Sequence, residues 1–191
     1  VYTDGEVIRV IKEGVATELS DGYFMGDEED EYQLVPMPGG SEIHYWQGRL
    51  LVARGNSLLW SEAMRYDKHS ATRNFVQFSS KVIWVAPLVT GVYVGTRDNS
   101  YFLSGSDPAK FTKRIVGGES APGVAAIYNP RHSKQVGEEV ALWFTRDGIA
   151  VGNQEGAVDY PQASRLKELP LYPGKMVIVN DRVTIFTTKE H

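Results

Sequence analysis

Apolar residues along this chain come in short paired runs separated by compact polar turns. "VIRVIKEGVATEL", "LLVARGNSLLWS", "VYVGTRDNSYFLS" and "ALWFTRDGIAVG" each consist of an extended apolar run, a charged turn containing Gly, Asn or Asp, and a second extended run. A fifth stretch, "MVIVNDRVTIFTT", has the same shape with a shorter turn. The runs are rich in Val, Ile, Tyr, Phe and Trp, which suit a pleated, half-buried surface, and Asn-Ser or Asp-Gly between such runs favours a tight hairpin. The pattern predicts five β-hairpins. Helical pattern is scarce: neither 61–74 nor 163–170 carries an apolar stripe at 3.6-residue spacing.

The turns are also periodic. Lys12 to Val15, Arg54 to Ser57, Arg97 to Ser100 and Arg146 to Ile149 align at offsets of 42, 43 and 49, and the turn near Asp181 follows about 35 later. Another short apolar segment precedes several hairpins: 42–47, 82–88, 123–128 and 166–171. Further segments at 32–36, 74–78 and 111–116 supply a fourth strand per unit. Four strands in a repeated unit of about 40–45 residues is the signature of β-propeller blades, although sandwiches and barrels also place strands at short intervals. The expectation is therefore an all-β, β-propeller-like chain of repeated antiparallel blades, forming one domain over 1–191 or a segment of a larger propeller. The approximate blades are 1–36, 37–78, 79–118, 119–162 and 163–191.

Composition narrows the partners. The 191 residues are 42% apolar, enough for a sizeable core, and the net charge of −4 gives no general reason to expect nucleic acid or anionic lipid as a specific ligand. No run of apolar residues is long enough for a transmembrane helix, so no membrane segment is expected. Zero cysteines exclude disulfides, Cys-ligated zinc and a Cys nucleophile. The first residue is Val1, which reads as a processed chain or a piece of a longer one.

Candidate chemistry is sparse. His44, His69, His132 and His191 share no metal-ligand spacing, and His44 reads as a packed strand residue. Five consecutive acids, Asp27 to Glu31, lack the alternation of a calcium loop and read as a solvated loop. No nucleophile elbow, P-loop or dinucleotide fingerprint is present. The segment "SGSDPAKF" departs from a sialidase Asp-box: Pro108 follows Asp107 directly and Lys110 stands where Gly is wanted. Asp107 reads instead as an Asx-turn former, with Pro108 fixing φ for the bend. Trp46, Trp60, Trp84 and Trp143 each fall in an expected strand, where a large aromatic per repeat serves sheet-to-sheet packing more readily than a sugar platform. No catalytic residue, metal ligand or cofactor is assigned, and the chain reads as non-enzymatic.

The run from Gly48 to Val116 resembles a set of tail proteins from tailed phages and prophages. The residues that carry the likeness are Ser61-Glu62 at a strand end, Val85-Ala86-Pro87 in an apolar strand, Val94-Gly95-Thr96 in a hairpin, and the loop Gly105 to Pro108. The stretch "AMRYDKH" stands where the family usually has a Pro-containing loop. The resemblance implies a structural component of a virion tail, of nozzle, hub or tail-tip type, built from propeller-type repeats. It implies other phage tail proteins as partners, a homo-oligomeric ring, and assembly in the bacterial host cytoplasm into the virion. Asp107 and Pro108, in the connector after the third hairpin, are the candidate interface residues. The competing expectation is a carbohydrate-binding or glycan-degrading propeller, receptor-binding or sialidase-like, which needs carboxylates and exposed aromatics gathered at one end of the blades.

Overall fold

The computed structural model describes residues 1–19, 34–130, 137–166 and 168–188. The chain is all-β, folding into small antiparallel sheets with no closed barrel among the described residues, and it divides into two compact units, Val1–Lys81 and Val82–His191. The five predicted hairpins are all present.

In the first unit, β1 (Tyr2–Thr3), β2 (Ile8–Lys12) and β3 (Val15–Glu18) form a three-stranded sheet. The turn between β2 and β3 places Glu13 and Gly14 at φ of 53° and 82°, the left-handed pair that a two-residue hairpin turn requires. β4 (Leu34–Pro36) pairs with β8 (Lys68–Ser70), and β5 (Glu42–Trp46), β6 (Arg49–Arg54), β7 (Ser57–Trp60) and β9 (Phe75–Gln77) form a four-stranded meander. Ile8 of the first sheet packs with Leu19, Met37, Leu50 and Val52, all buried, with Val10, Ile43, Leu59 and Tyr66 around them. Sequestering side chains of this size contributes about 1.5–3 kcal/mol each. The segment 32–36 was expected to add a strand to a repeated unit. Its described part instead pairs as β4 with β8 inside the 61–74 stretch, a contact between residues more than thirty apart that no local signal announces.

The second unit repeats one sheet form. β10 (Val82–Leu88), β11 (Gly91–Thr96), β12 (Ser100–Ser104) and β13 (Thr112–Gly117) make a four-stranded meander. β14 (Ser120–Tyr128), β15 (Val140–Thr145), β16 (Gly148–Gly152) and β17 (Val158–Asp159) make a second. β18 (Gly174–Val179) and β19 (Arg182–Thr187) make a two-stranded sheet that packs on the second meander. The segment 166–171, expected to lead into that hairpin, forms no strand among its described residues. Leu171 nevertheless packs against the core formed by Ala121, Val124, Leu142 and Met176, so burial there needs no ladder.

Between the two meanders lies an aromatic core. Trp84 and Trp143 stack with ring centres 5.3 Å apart, Tyr93 lies 5.2 Å from Trp143, and Phe102 lies 4.7 Å from Tyr93. Small residues make room for them: Ala86, Ala141 and Ala150 are fully buried alongside, and a Cβ on Gly95 would overlap the Trp84 ring. Two of the buried polar tips find partners, whereas the Trp143 Nε1 is buried without a hydrogen-bond acceptor. Trp84 Nε1 donates to Ser120 Oγ at 2.7 Å, and the Tyr93 hydroxyl donates to the carbonyls of Asn153 and Ala157 at 2.9 and 3.2 Å. Burial pushes the Tyr93 phenol far above its ordinary range.

Candidate assembly surface

The connector after β12 begins with Gly105 at φ 126°, a value that favours glycine, and runs into a single 3-10 turn, Pro108–Lys110. Asp107 caps that turn. Its Oδ1 accepts from the Ala109 N–H at 3.1 Å, its carbonyl accepts from the Lys110 N–H at 3.0 Å, and Lys110 Nζ lies 3.8 Å from Oδ2. Asp107 thus forms the Asx-type turn that its place before proline suggests. Pro108 is buried beneath the turn, while Ser106, Ala109 and Lys110 are the exposed residues of the connector. Asp107 is half-buried, so what this loop offers a neighbour is the flank of the capped turn and a lysine.

The four tryptophans are core residues. Trp84 and Trp143 are fully buried, and Trp46 and Trp60 are exposed by only 5% and 3%, which leaves none as a platform for a sugar ring. His44 lies 3.4 Å from Glu42 Oε2 along the same strand. His132, His191 and the acidic run Asp27 to Glu31 lie outside the described residues. Among the described residues, no three His, Cys, Asp or Glu side chains come together as a metal site.

Sequence reading did not find three other features. The first is a polar cleft of about 410 Å³ in the second unit, lined by Thr90, Asn129, Glu138, Glu139, Gln154 and Glu155 with Val89. Its side chains are largely committed to one another: Asn129 Nδ2 donates to Glu139 Oε1 at 2.6 Å, Gln154 Nε2 donates to the Glu139 carbonyl at 2.9 Å, and the Thr90 hydroxyl donates to the Gln154 carbonyl.

The second is a buried polar patch in the first unit, Ser61, Asp67, His69, Ser70 and Asn74. Ser61 Oγ accepts from the Leu50 N–H at 2.9 Å, which ties the 61–74 segment to the meander, and Asn74 Nδ2 donates to Glu62 Oε1 at 2.7 Å, which joins the two ends of the segment. Burial holds the His69 imidazole below its ordinary pKa, with Arg54 acting in the same sense and Glu62 opposing.

The third is the β18–β19 sheet. Its inward row is Met176, Ile178, Val183 and Ile185, and its outward row, Lys175, Val177, Val179, Arg182, Thr184 and Phe186, is exposed throughout. Alternation in the sequence could have shown this row, since period-two patterning separates the faces of a strand.

Fold and surface together define an all-β chain of small antiparallel sheets whose polar side chains chiefly hold loops and turns in place. No family model matches the sequence, and no curated protein matches it.

Proposed function

We propose that the chain is a structural component of a phage virion tail, of nozzle, hub or tail-tip type, that acts through protein–protein assembly. In this reading the four-stranded meanders are blades of a β-propeller or of an arc of one, and the connectors between them meet neighbouring tail proteins and other copies of the chain. The observation that carries it is the spending of chemistry-bearing residues on architecture. The tryptophans fill the cores, Asp107 caps a turn, and Thr90, Gln154 and Glu139 bind one another across a cleft. The tail-protein resemblance of residues 48–116 supplies the setting. Against the carbohydrate reading stands the burial of all four tryptophans, because sugar stacking needs an accessible ring face.

The test is immunogold labelling of particles whose genome encodes the chain, paired with assays of the purified chain for glycan binding and hydrolysis. Gold on the tail, with no sugar turnover, is the expected outcome. Unlabelled tails, or measurable glycan hydrolysis, would overturn the proposal.

A further inference from the structure

We infer that protonation of His69 unlocks the β4–β8 ladder, so that residues 34–37 and 62–70 open together as a strap on acidification while the β5–β6–β7–β9 meander stays closed. The inference concerns the first unit alone and does not depend on the tail assignment.

The strap is held at its ends and locked in the middle. Its ends are fastened to the meander: the Ser61 N–H donates to the Leu50 carbonyl at 2.9 Å, and the Asn74 carbonyl accepts from the Trp60 N–H at 3.0 Å. In the middle, β4 pairs with β8 alone among the described residues, through Leu34 with Ser70, Val35 with His69 and Pro36 with Lys68. The Met37 N–H extends the ladder by donating to the Asp67 carbonyl at 2.7 Å. His69 is the central residue of this short ladder and is only 6% exposed. Both strands have three residues, whereas β6 has six and carries the fully buried Leu51 and Val52. A ladder of that length opens at a lower cost than the meander does.

The ring has nowhere to place a second proton. His69 Nδ1 is buried with no hydrogen-bond partner, and so is Oδ1 of Asp67, a residue 2% exposed, so the two atoms are not bonded to each other. Protonation makes both ring nitrogens donors and puts a positive charge where water does not reach it. The charged groups around the ring do not compensate. Arg54, at the end of β6, repels the new charge, while Glu62 of the strap and the carbonyls of Val35 and Pro36 favour it. Lys68 lies on the other face of β8 by alternation, β4 carries no charged side chain, and β7 and β9, Ser-Leu-Leu-Trp and Phe-Val-Gln, carry no titratable one. Burial is the largest influence and holds the imidazole below its ordinary pKa. The closed strap therefore binds fewer protons than the open one, in which the ring meets water, and falling pH favours opening.

Hydrogen–deuterium exchange of the full chain, read by mass spectrometry at about pH 7.5 and about pH 5 and corrected for the intrinsic pH dependence of amide exchange, tests this. Peptides covering 34–37 and 62–70 should lose protection about threefold or more at the lower pH, and peptides from β6 should not. His69→Gln, which cannot take the charge, should abolish the acid-dependent loss. Arg54→Gln, at an exposed position, removes the repelling charge and should lessen it. The unmodified chain needs no variant for a further check: the C2–H resonance of His69 should titrate together with the loss of protection. Strap protection that is indifferent to pH, a loss shared equally by β6, or a loss that persists in His69→Gln overturns the inference.

Discussion

The facing layers of the two meanders and the outer row of the β18–β19 hairpin both carry large apolar side chains and differ in what covers them. At the first, Trp84, Tyr93 and Trp143 are sealed between sheets, and the opposite face of β11 carries Val92 and Val94, also fully buried. At the second, Val177, Val179 and Phe186 stand in solvent. Hydrophobic side chains stabilise only to the extent that they leave water, so apolar residues hold the structure in one place and are left in solvent in the other. The contrast separates side chains that hold the fold from side chains that contribute little to it.

The largest break in that contrast comes from emptying the interior. Trp84→Ala removes the stacked ring and the bond to Ser120, and should cost about 3–5 kcal/mol in urea unfolding of the full chain, against a change within about 0.5 kcal/mol for Phe186→Ser. Equal costs at the two positions would erase the distinction.

Overfilling the same interior is the next probe. Gly95→Ala directs a methyl group into the Trp84 ring and should cost about 1–3 kcal/mol, whereas the same change at Gly118, with open space around its Cβ, should cost far less. Thermal melts of the two variants decide between them.

The turn at Asp107 sits lower in the order. Asp107→Ala loses the acceptor for the Ala109 N–H and should cost about 0.5–1 kcal/mol, while Asp107→Asn, which keeps an oxygen there, should lose less. Chemical denaturation read by tryptophan fluorescence checks both.

His69 gives the mildest effect and its sign is fixed. Its folded-state pKa lies below the unfolded value near 6.5, so the unfolded chain takes up the proton first as pH falls. Stability contributed by the neutral, buried ring is present above pH 6.5 and is lost as the pH drops below it. Melting temperature should therefore decline on acidification through this range, with a shallower decline in His69→Gln. A slope unchanged by the substitution would show that His69 is not the group responsible.

What the sequence made legible was whatever short-range chemistry controls. The hairpins were visible because compact turns rich in Gly, Asn and Asp separate the apolar runs, with left-handed backbone at Glu13-Gly14 and Asn180-Asp181. The cap at Asp107 was visible because an Asp before Pro can bond its own backbone. The β4–β8 pairing escaped, since its partners lie far apart in the chain and β8, with Lys68 and His69, has no apolar pattern. The stretch 166–171 misled for the opposite reason: its leucines read as strand, yet Leu166 packs over Gly148 and Leu171 joins the core of the second meander from an irregular segment. At the candidate surface, sequence located the connector but not the burial of Pro108 or the seating of Leu171 in the core. Those depend on which elements stack, which only tertiary packing decides.

The proposed role is architectural: a part of a tail, present in several copies, that works by being assembled. Quantitative mass spectrometry of purified particles and of their detached tails measures this most directly. The account predicts a constant stoichiometry of several copies per tail, retained when the heads are removed. Absence of the chain from the particles, or a single copy per tail, would contradict it.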